Sequence, residues 1–178
     1  MSKNKPFPIS MIISGGQTGI DRAALDFALE KKIKCSGWCP KGRKADDGII
    51  CYKYPLIETS TCFYPQRTRQ NVKDSDATMI ITDGSQSRGT NYTQVCAIKL
   101  NKPLLIVDLT DINFEKILKW LWKTKPEILN IAGPRKKEAS NTDIKNLLTQ
   151  ILCKAEKTAP IWPRKKPTTA NLNFYGKR

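Results

Sequence analysis

The chain has 178 residues, enough for one domain with a substantial core, and it carries a net charge of +15. It contains no histidine, which excludes Ser-His-Asp and Cys-His catalysis, histidine-ligated zinc and imidazole general bases. A basic balance attracts phosphates without indicating which molecule carries them. Because no apolar window reaches the roughly 18 residues of a membrane helix, and no signal-peptide pattern opens the chain, we expect a cytoplasmic protein without membrane partners.

The first elements predicted along the chain form a strand, a loop and a helix. Met11–Ile13 is an apolar run typical of a buried strand, and residues 24–29 carry an apolar stripe at helical spacing. Thr18 and Asp21, between them, have the spacing of a capping box, with Asp in the place of Glu or Gln. The pattern predicts that the helix begins near Thr18.

The middle of the chain is less regular. Residues 35–38 predict a second short strand, and residues 40–60 a long loop with little regular structure, since Gly, Pro, Lys and Asp are frequent there. Residues 66–73 predict a helix, and residues 79–82 the clearest internal strand.

The second half alternates helices and strands. The patterns predict helices over residues 91–100, 113–123 and 142–154, and strands over 104–109 and 128–131. Strands that are continuous apolar runs between helices indicate an α/β, Rossmann-like fold, with a mostly parallel sheet covered by helices on both faces. We expect residues 1–153 to form this domain and residues 154–178 a basic, proline-containing extension.

Glycine-rich loops follow three of the predicted strands, at residues 15–19, 84–89 and 133–135. In a parallel sheet these loops share the edge where ligands bind. Glycines let the backbone approach a ligand, and the following helix directs N–H groups and a positive dipole end at an anion. The first loop is neither a Walker A loop nor a GxGxxG motif, so the predicted ligand is an oxyanion or phosphate without a fixed identity.

The candidate ligand-binding residues belong to these loops or are polar and cationic residues near them. They are Ser14, Gly15, Gly16, Gln17, Thr18, Gly19, Arg22, Lys41, Arg43, Arg67, Asn71, Asp83, Ser87, Arg88, Gly89, Thr90, Asn130, Gly133, Pro134 and Arg135. Arg67 and Asn71 are four residues apart and share a helix face. We assign no catalytic and no metal-binding residues.

The six cysteines are spread through a chain that we expect to be cytosolic, so disulfides are not expected. Cys35, Cys39, Cys51 and Cys62 could supply four thiolates to zinc, but the spacing lacks the paired CxxC knuckles of such sites. We therefore expect most of the cysteines to be small buried apolar groups.

Several segments together resemble the molybdenum carrier family, which belongs to a wider superfamily of Rossmann-like nucleotide-ligand sensors and lysine-decarboxylase-like proteins. The matching segments are residues 14–21 (SGGQTGID), 37–48 (GWCPKGRKADDG), 64–76, 74–78, 87–90, 102–103 and 129–135 (LNIAGPR). The resemblance implies a homo-oligomer, a dimer or tetramer, that binds the molybdenum cofactor (molybdopterin), molybdate or a related nucleotide. Arg88 departs from the pattern, since a glycine is common there.

Two other functions are open. Lysine-decarboxylase-like phosphoribohydrolases carry a PGGxGTxxE motif, but Thr93 stands here in the place of the catalytic glutamate. Single-stranded nucleic-acid binding is the second, because the extension has seven Lys or Arg residues against Glu156. Aromatic residues for stacking are few in that extension, so contact with nucleic acid through it would be non-specific.

Overall fold

The computed structural model describes residues 9–84, 87–135 and 141–158. The predicted extension beyond residue 158 and two residues of the second glycine-rich loop, 85 and 86, lie outside them. The strands are β1 (Met11–Ile13), β2 (Lys34–Ser36), β3 (Trp38–Cys39), β4 (Lys44–Ala45), β5 (Gly48–Ile49), β6 (Ile57–Glu58), β7 (Ala77–Thr82), β8 (Leu104–Asp108) and β9 (Ile128–Ala132). The helices are α1 (Ile20–Glu30), α2 (Tyr64–Lys73), α3 (Arg88–Lys99), α4 (Phe114–Thr124) and α5 (Asn141–Thr158).

Five strands form one parallel sheet in the order β2-β1-β9-β7-β8. The central strands are short and almost wholly apolar; in β7 every residue up to Ile81 is buried. Such strands need cover on both faces. Helices α1, α4 and α5 pack on one face around Phe27, Leu121 and Leu148, and α2 and α3 pack on the other around Val72 and Ala97. The predicted α/β, Rossmann-like class is confirmed.

The predicted strand over residues 35–38 is two strands, because Gly37 divides it. Gly37 has φ +147, and a Cβ there would lie 2.0 Å from the Ser14 carbonyl oxygen. The chain therefore passes close to β1 and then leaves the main sheet. Trp38–Cys39 pairs instead with Ile57–Glu58, in a separate two-stranded sheet.

The predicted loop over residues 40–60 contains three strands of two residues each, and the rest of it is turns and irregular chain, so the expectation of little regular structure is confirmed for most of its length. Arg43 holds this segment in one conformation. Its side chain is buried, and its guanidinium donates to the backbone carbonyls of Ile50, Cys51, Tyr54 and Leu56 at 2.9–3.1 Å. One side chain thus satisfies four carbonyl groups of an otherwise irregular segment.

Several helix ends differ from the prediction; α3, for example, begins at Arg88, three residues before its predicted start. The N-cap of α1 is Gly19, with φ 87 and no side-chain cap, so the capping box at Thr18 and Asp21 is wrong. Helix α5 continues past residue 154 to Thr158. None of the helices within the described residues is long and apolar enough to cross a membrane.

Candidate functional site

A cavity of about 550 Å³ lies at the carboxyl ends of β1, β9 and β7. From β1 the chain turns through α1 to β2 on one side, and from β7 it turns through α3 to β8 on the other. The two connections diverge and leave a crevice above β9, which is the usual ligand position in open parallel sheets. The volume is within the range of small-molecule sites.

The cavity wall combines cationic, aromatic and backbone groups. Its lining residues are Gln17, Asp21, Tyr64, Pro65, Arg67, Thr68, Ser87, Arg88, Gly89, Tyr92, Thr93, Ala132, Gly133, Pro134 and Arg135. Eight of the predicted site residues are in this wall, and they come from all three predicted loops and from α2. The structure therefore brings segments together that are more than 100 residues apart in the chain.

The other predicted site residues lie outside the wall. Four belong to the first loop, and the other eight lie in strands, helices or loops elsewhere in the chain. They are Ser14, Gly15, Gly16, Thr18, Gly19, Arg22, Lys41, Arg43, Asn71, Asp83, Thr90 and Asn130.

Several of these residues have structural partners that account for them. The Ser14 hydroxyl donates to the Ile131 carbonyl at 2.7 Å and joins β1 to β9. The Asn71 amide bonds both the N–H and the C=O of Trp38, at 2.7 and 3.1 Å. Asn130 is buried in β9 and donates to the Thr78 hydroxyl at 3.2 Å. Their polar atoms serve strand and loop positions, and not the cavity.

The floor of the cavity is a buried ion pair between Arg67 of α2 and Asp21 of α1. The Arg67 Nη1 donates to the Asp21 Oδ2 at 2.7 Å, and the side chains are 14% and 4% exposed. Gly15 makes room for the pair, since a Cβ there would lie 1.4 Å from Nη1. Asp21 therefore holds Arg67 in place, where the sequence pattern had suggested a helix cap.

Two further arginines pair with the turn between β4 and β5. The Asp47 carboxylate receives hydrogen bonds from Arg22, whose Nη2 also donates to the Gly16 carbonyl at 3.1 Å. This ion pair lowers the pKa of Asp47. Arg135 Nη1 lies 2.9 and 3.1 Å from the two carboxylate oxygens of Asp46. The cations of the site are thus largely compensated by carboxylates.

Aromatic rings stand beside the cations at the cavity wall. The Tyr64 ring centroid lies 5.1 Å from the Arg135 guanidinium carbon and 5.9 Å from that of Arg67, within the range of cation–π contacts. Tyr92 contributes a second ring from α3. Desolvation, together with a hydrogen bond to the Cys96 thiol, raises the pKa of Tyr92.

The N-terminus of α3 opens into the cavity. Ser87 is its N-cap, and its hydroxyl accepts the Thr90 N–H at 3.0 Å. Arg88 and Gly89, in the first turn, line the wall, and Thr93 donates its hydroxyl to the Gly89 carbonyl at 2.9 Å. This end of the helix offers a positive dipole and a cation to an anion.

The cysteines do not follow one pattern. Cys39 and Cys96 are buried, but Cys51, Cys62 and Cys153 are exposed, so the expectation that most are buried is wrong. Burial raises the pKa of Cys35 and Cys39, which keeps both as neutral thiols. The described residues contain no cluster of acidic and cysteine side chains that could hold a metal ion.

Sequence reasoning missed the two tyrosines and the role of the Asp46-Asp47 turn. Tyr64 and Arg67 are three residues apart on α2, and Arg88 and Tyr92 are four apart on α3, so helical spacing could have placed each ring beside its cation. The run Asp46-Asp47-Gly48 could have indicated a turn, because Asp and Gly are frequent in turns.

Comparison with known proteins relates most of the chain to one family. Residues 12–155 match the model of the "Circularly permutated YpsA SLOG family". In structure, the chain is similar to a protein from Syntrophus aciditrophicus described as a "Putative molybdenum carrier protein", with 40% sequence identity and a TM-score of 0.74. The similarity covers 87% of this chain and 99% of the other. No curated protein matches the chain.

Proposed function

Because the chain belongs to the circularly permutated YpsA SLOG family, we propose that it is a carrier or binding protein for a phosphorylated small molecule, held in the cavity above β9. The favoured ligand is the molybdenum cofactor or a related nucleotide, and molybdate alone is a smaller ligand of the same charge type. The name of the Syntrophus protein supports this choice.

One observation carries the proposal: a single cavity joins anion-binding groups to aromatic rings. The first turn of α3 and the side chains of Arg88 and Arg135 suit a phosphate or another oxyanion. Tyr64 and Tyr92 suit a planar ring. A pterin or nucleobase bearing phosphate has both parts.

The lining offers no thiolate for a metal, since every cysteine is outside it. A molybdenum cofactor would therefore be recognised through its phosphate and its ring system, with the metal carried by the sulfur atoms of the cofactor itself. Of the proposed binding residues, Arg88 and Arg135 take the phosphate, while Gln17 and Gly133 shape the wall.

The direct test is native mass spectrometry of the protein purified from its own host. We expect a bound species with the mass of a pterin–molybdenum compound or a nucleotide. A protein that is consistently empty, and that shows no thermal stabilisation by molybdate, inorganic phosphate or nucleoside monophosphates, would overturn the proposal.

Variants of α3 locate the site. Arg88→Met removes a cation from the wall but keeps an extended side chain at this position. We expect about tenfold weaker binding of a nucleoside monophosphate. Lys99→Met, on the last turn of the same helix, is the matched control and leaves the affinity unchanged. Equal losses in both variants would indicate a general charge effect in place of a site.

Hydrolysis of nucleoside monophosphates is the competing function. Asp21 is the one carboxylate among the described residues of the wall, and it is already paired with Arg67. Thr93, at the position of the hydrolase glutamate, is bonded to the helix backbone. Incubation with nucleoside monophosphates should release no free base; robust turnover would replace the carrier function with an enzymatic one.

We also propose that the protein is a cytoplasmic homo-oligomer, a dimer or tetramer. Val95 and Ile98 on α3 and Ile106 on β8 are 42%, 66% and 41% exposed, which supports burial of this surface against another copy. Sedimentation equilibrium measures the mass, and Ile98→Lys should shift it toward the monomer.

We propose that any contact of the basic extension with nucleic acid is non-specific. Such binding should disappear at moderate salt.

A further inference from the structure

The turn between β4 and β5 places two carboxylates on two arginines of the site. Strands Lys44–Ala45 and Gly48–Ile49 pair as an antiparallel hairpin, so Asp46 and Asp47 are its two turn residues. Asp47 pairs with Arg22 on α1, while Asp46 pairs with Arg135, which lines the cavity.

Asp46 is held in this position by more than its charge. Its backbone N–H donates to the Gln17 Oε1 at 2.9 Å, and its Oδ1 accepts from the Gln17 Nε2 at 3.2 Å. Gln17 is itself buried and lines the cavity. The hairpin is anchored from below by Arg43, whose guanidinium binds the carbonyl of Ile50, directly after β5. The carboxylate therefore stands at a fixed point beside the cavity.

The Asp46–Arg135 pair is open to water. The two side chains are 41% and 55% exposed, in contrast to the buried pair of Asp21 and Arg67. Exposed ion pairs are weak, because water and salt screen them. An oxyanion in the cavity can offer the Arg135 guanidinium the same two-oxygen contact that the carboxylate offers.

We infer, on the basis of the proposed function, that Asp46 competes with the oxyanion of the ligand for Arg135 and so sets how tightly the ligand is held. In the empty protein the Asp46 carboxylate is paired with the Arg135 guanidinium. In the loaded protein the oxyanion takes its place, and the carboxylate remains nearby and repels it. A carrier gains by this, since weaker retention speeds release to the acceptor.

The test compares Asp46→Asn with the unchanged protein, using molybdate, inorganic phosphate and a nucleoside monophosphate as probes in calorimetric titration. Asparagine keeps the size and the contact with Gln17 but removes the charge. We expect the dissociation constant of each anion to fall about two- to fivefold. A neutral nucleoside should bind both proteins equally, because it has no phosphate to pair with the Arg135 guanidinium.

A double-mutant cycle assigns the effect to the pair. In an Arg135→Met background, Asp46→Asn should strengthen anion binding less than it does in the unchanged protein, because only the repulsion between carboxylate and anion is then relieved. Asp111→Asn, at an exposed aspartate after β8, is the matched control and should leave every affinity unchanged. Asp46→Ser repeats the measurement with a different side chain, in case the asparagine variant folds poorly.

The possible outcomes distinguish a failure of this inference from a failure of the proposed carrier function. Anion binding that is equal or weaker in both Asp46 variants would overturn the role of Asp46 and leave the carrier function standing. No binding of any of the three anions, in any of the variants or in the unchanged protein, would overturn both.

Discussion

The Arg67–Asp21 and Arg135–Asp46 pairs join the same chemical groups at the floor and at the rim of one cavity, yet their surroundings are opposite. At the floor the carboxylate is 4% exposed; at the rim it is 41% exposed. Breaking a buried pair leaves an uncompensated charge away from water, whereas water replaces the partner of an exposed one. The floor is therefore part of the fold, and the rim is where a ligand can exchange contacts.

The strongest test of this difference is Asp21→Asn. It leaves the Arg67 guanidinium with a neutral partner in a buried site, so we expect the free energy of unfolding to fall by about 3–5 kcal/mol. Urea denaturation measures it. The matched control is Asp46→Asn at the exposed rim pair with Arg135, for which we expect less than about 1 kcal/mol. Similar losses in the two variants would remove the distinction between floor and rim.

Arg43→Met tests what holds the hairpin of the rim. The substitution removes a donor from four backbone carbonyls, of which those of Cys51 and Tyr54 also accept a backbone N–H, and we expect a loss of about 3 kcal/mol of stability. The amide hydrogen-exchange rates of residues 44–50 should also rise, and they should rise more than those of the five-stranded sheet. Lys41→Met, an exposed cation two residues away, should change neither quantity by much. Unchanged exchange in the hairpin would show that Arg43 does not anchor it.

Gly15→Ala probes the room under the floor pair. The added Cβ would overlap the Arg67 Nη1, so the guanidinium must move away from Asp21, and we expect a cost of about 1–3 kcal/mol. Gly89→Ala is the counterpart in the first turn of α3, where no atom other than those of the adjacent residues and the helix backbone lies within 4 Å of a Cβ. It should leave stability equal or raise it by up to about 1 kcal/mol. If Gly15→Ala left the free energy of unfolding unchanged, the Arg67–Asp21 pair could move without cost.

The smallest expected effect is the pH dependence of the Asp47–Arg22 pair. Because the pKa of Asp47 is lowered in the folded protein, the pair stabilises the fold above the unfolded-state pKa of about 4 and ceases to do so as pH falls through the folded value. Thermal unfolding of the unchanged protein and Asp47→Asn should therefore differ slightly at pH 7 and converge near pH 2. A difference that persists at pH 2 would contradict this cause.

The order of strands and helices was accessible from the sequence because it depends on local patterns. The buried run of β7 and the amphipathic stripe of α4 predict their own conformations, and the alternation of such elements predicts the parallel sheet. The irregular region over residues 40–60 was not accessible. Its short strands depend on Arg43 reaching backbone carbonyls up to 13 residues away, which no periodicity records.

The sequence by itself determined the class of fold and the edge of the sheet where the glycine-rich loops collect. Only the tertiary structure decided which charges are free to meet a ligand. Asp21 and Arg67 are 46 residues apart, and Asp46 and Arg135 are 89 apart, so their pairing depends on how α2, the hairpin and the β9 loop pack together. Burial then separates a fixed pair from an exchangeable one, because the cost of an unpaired charge depends on the water around it.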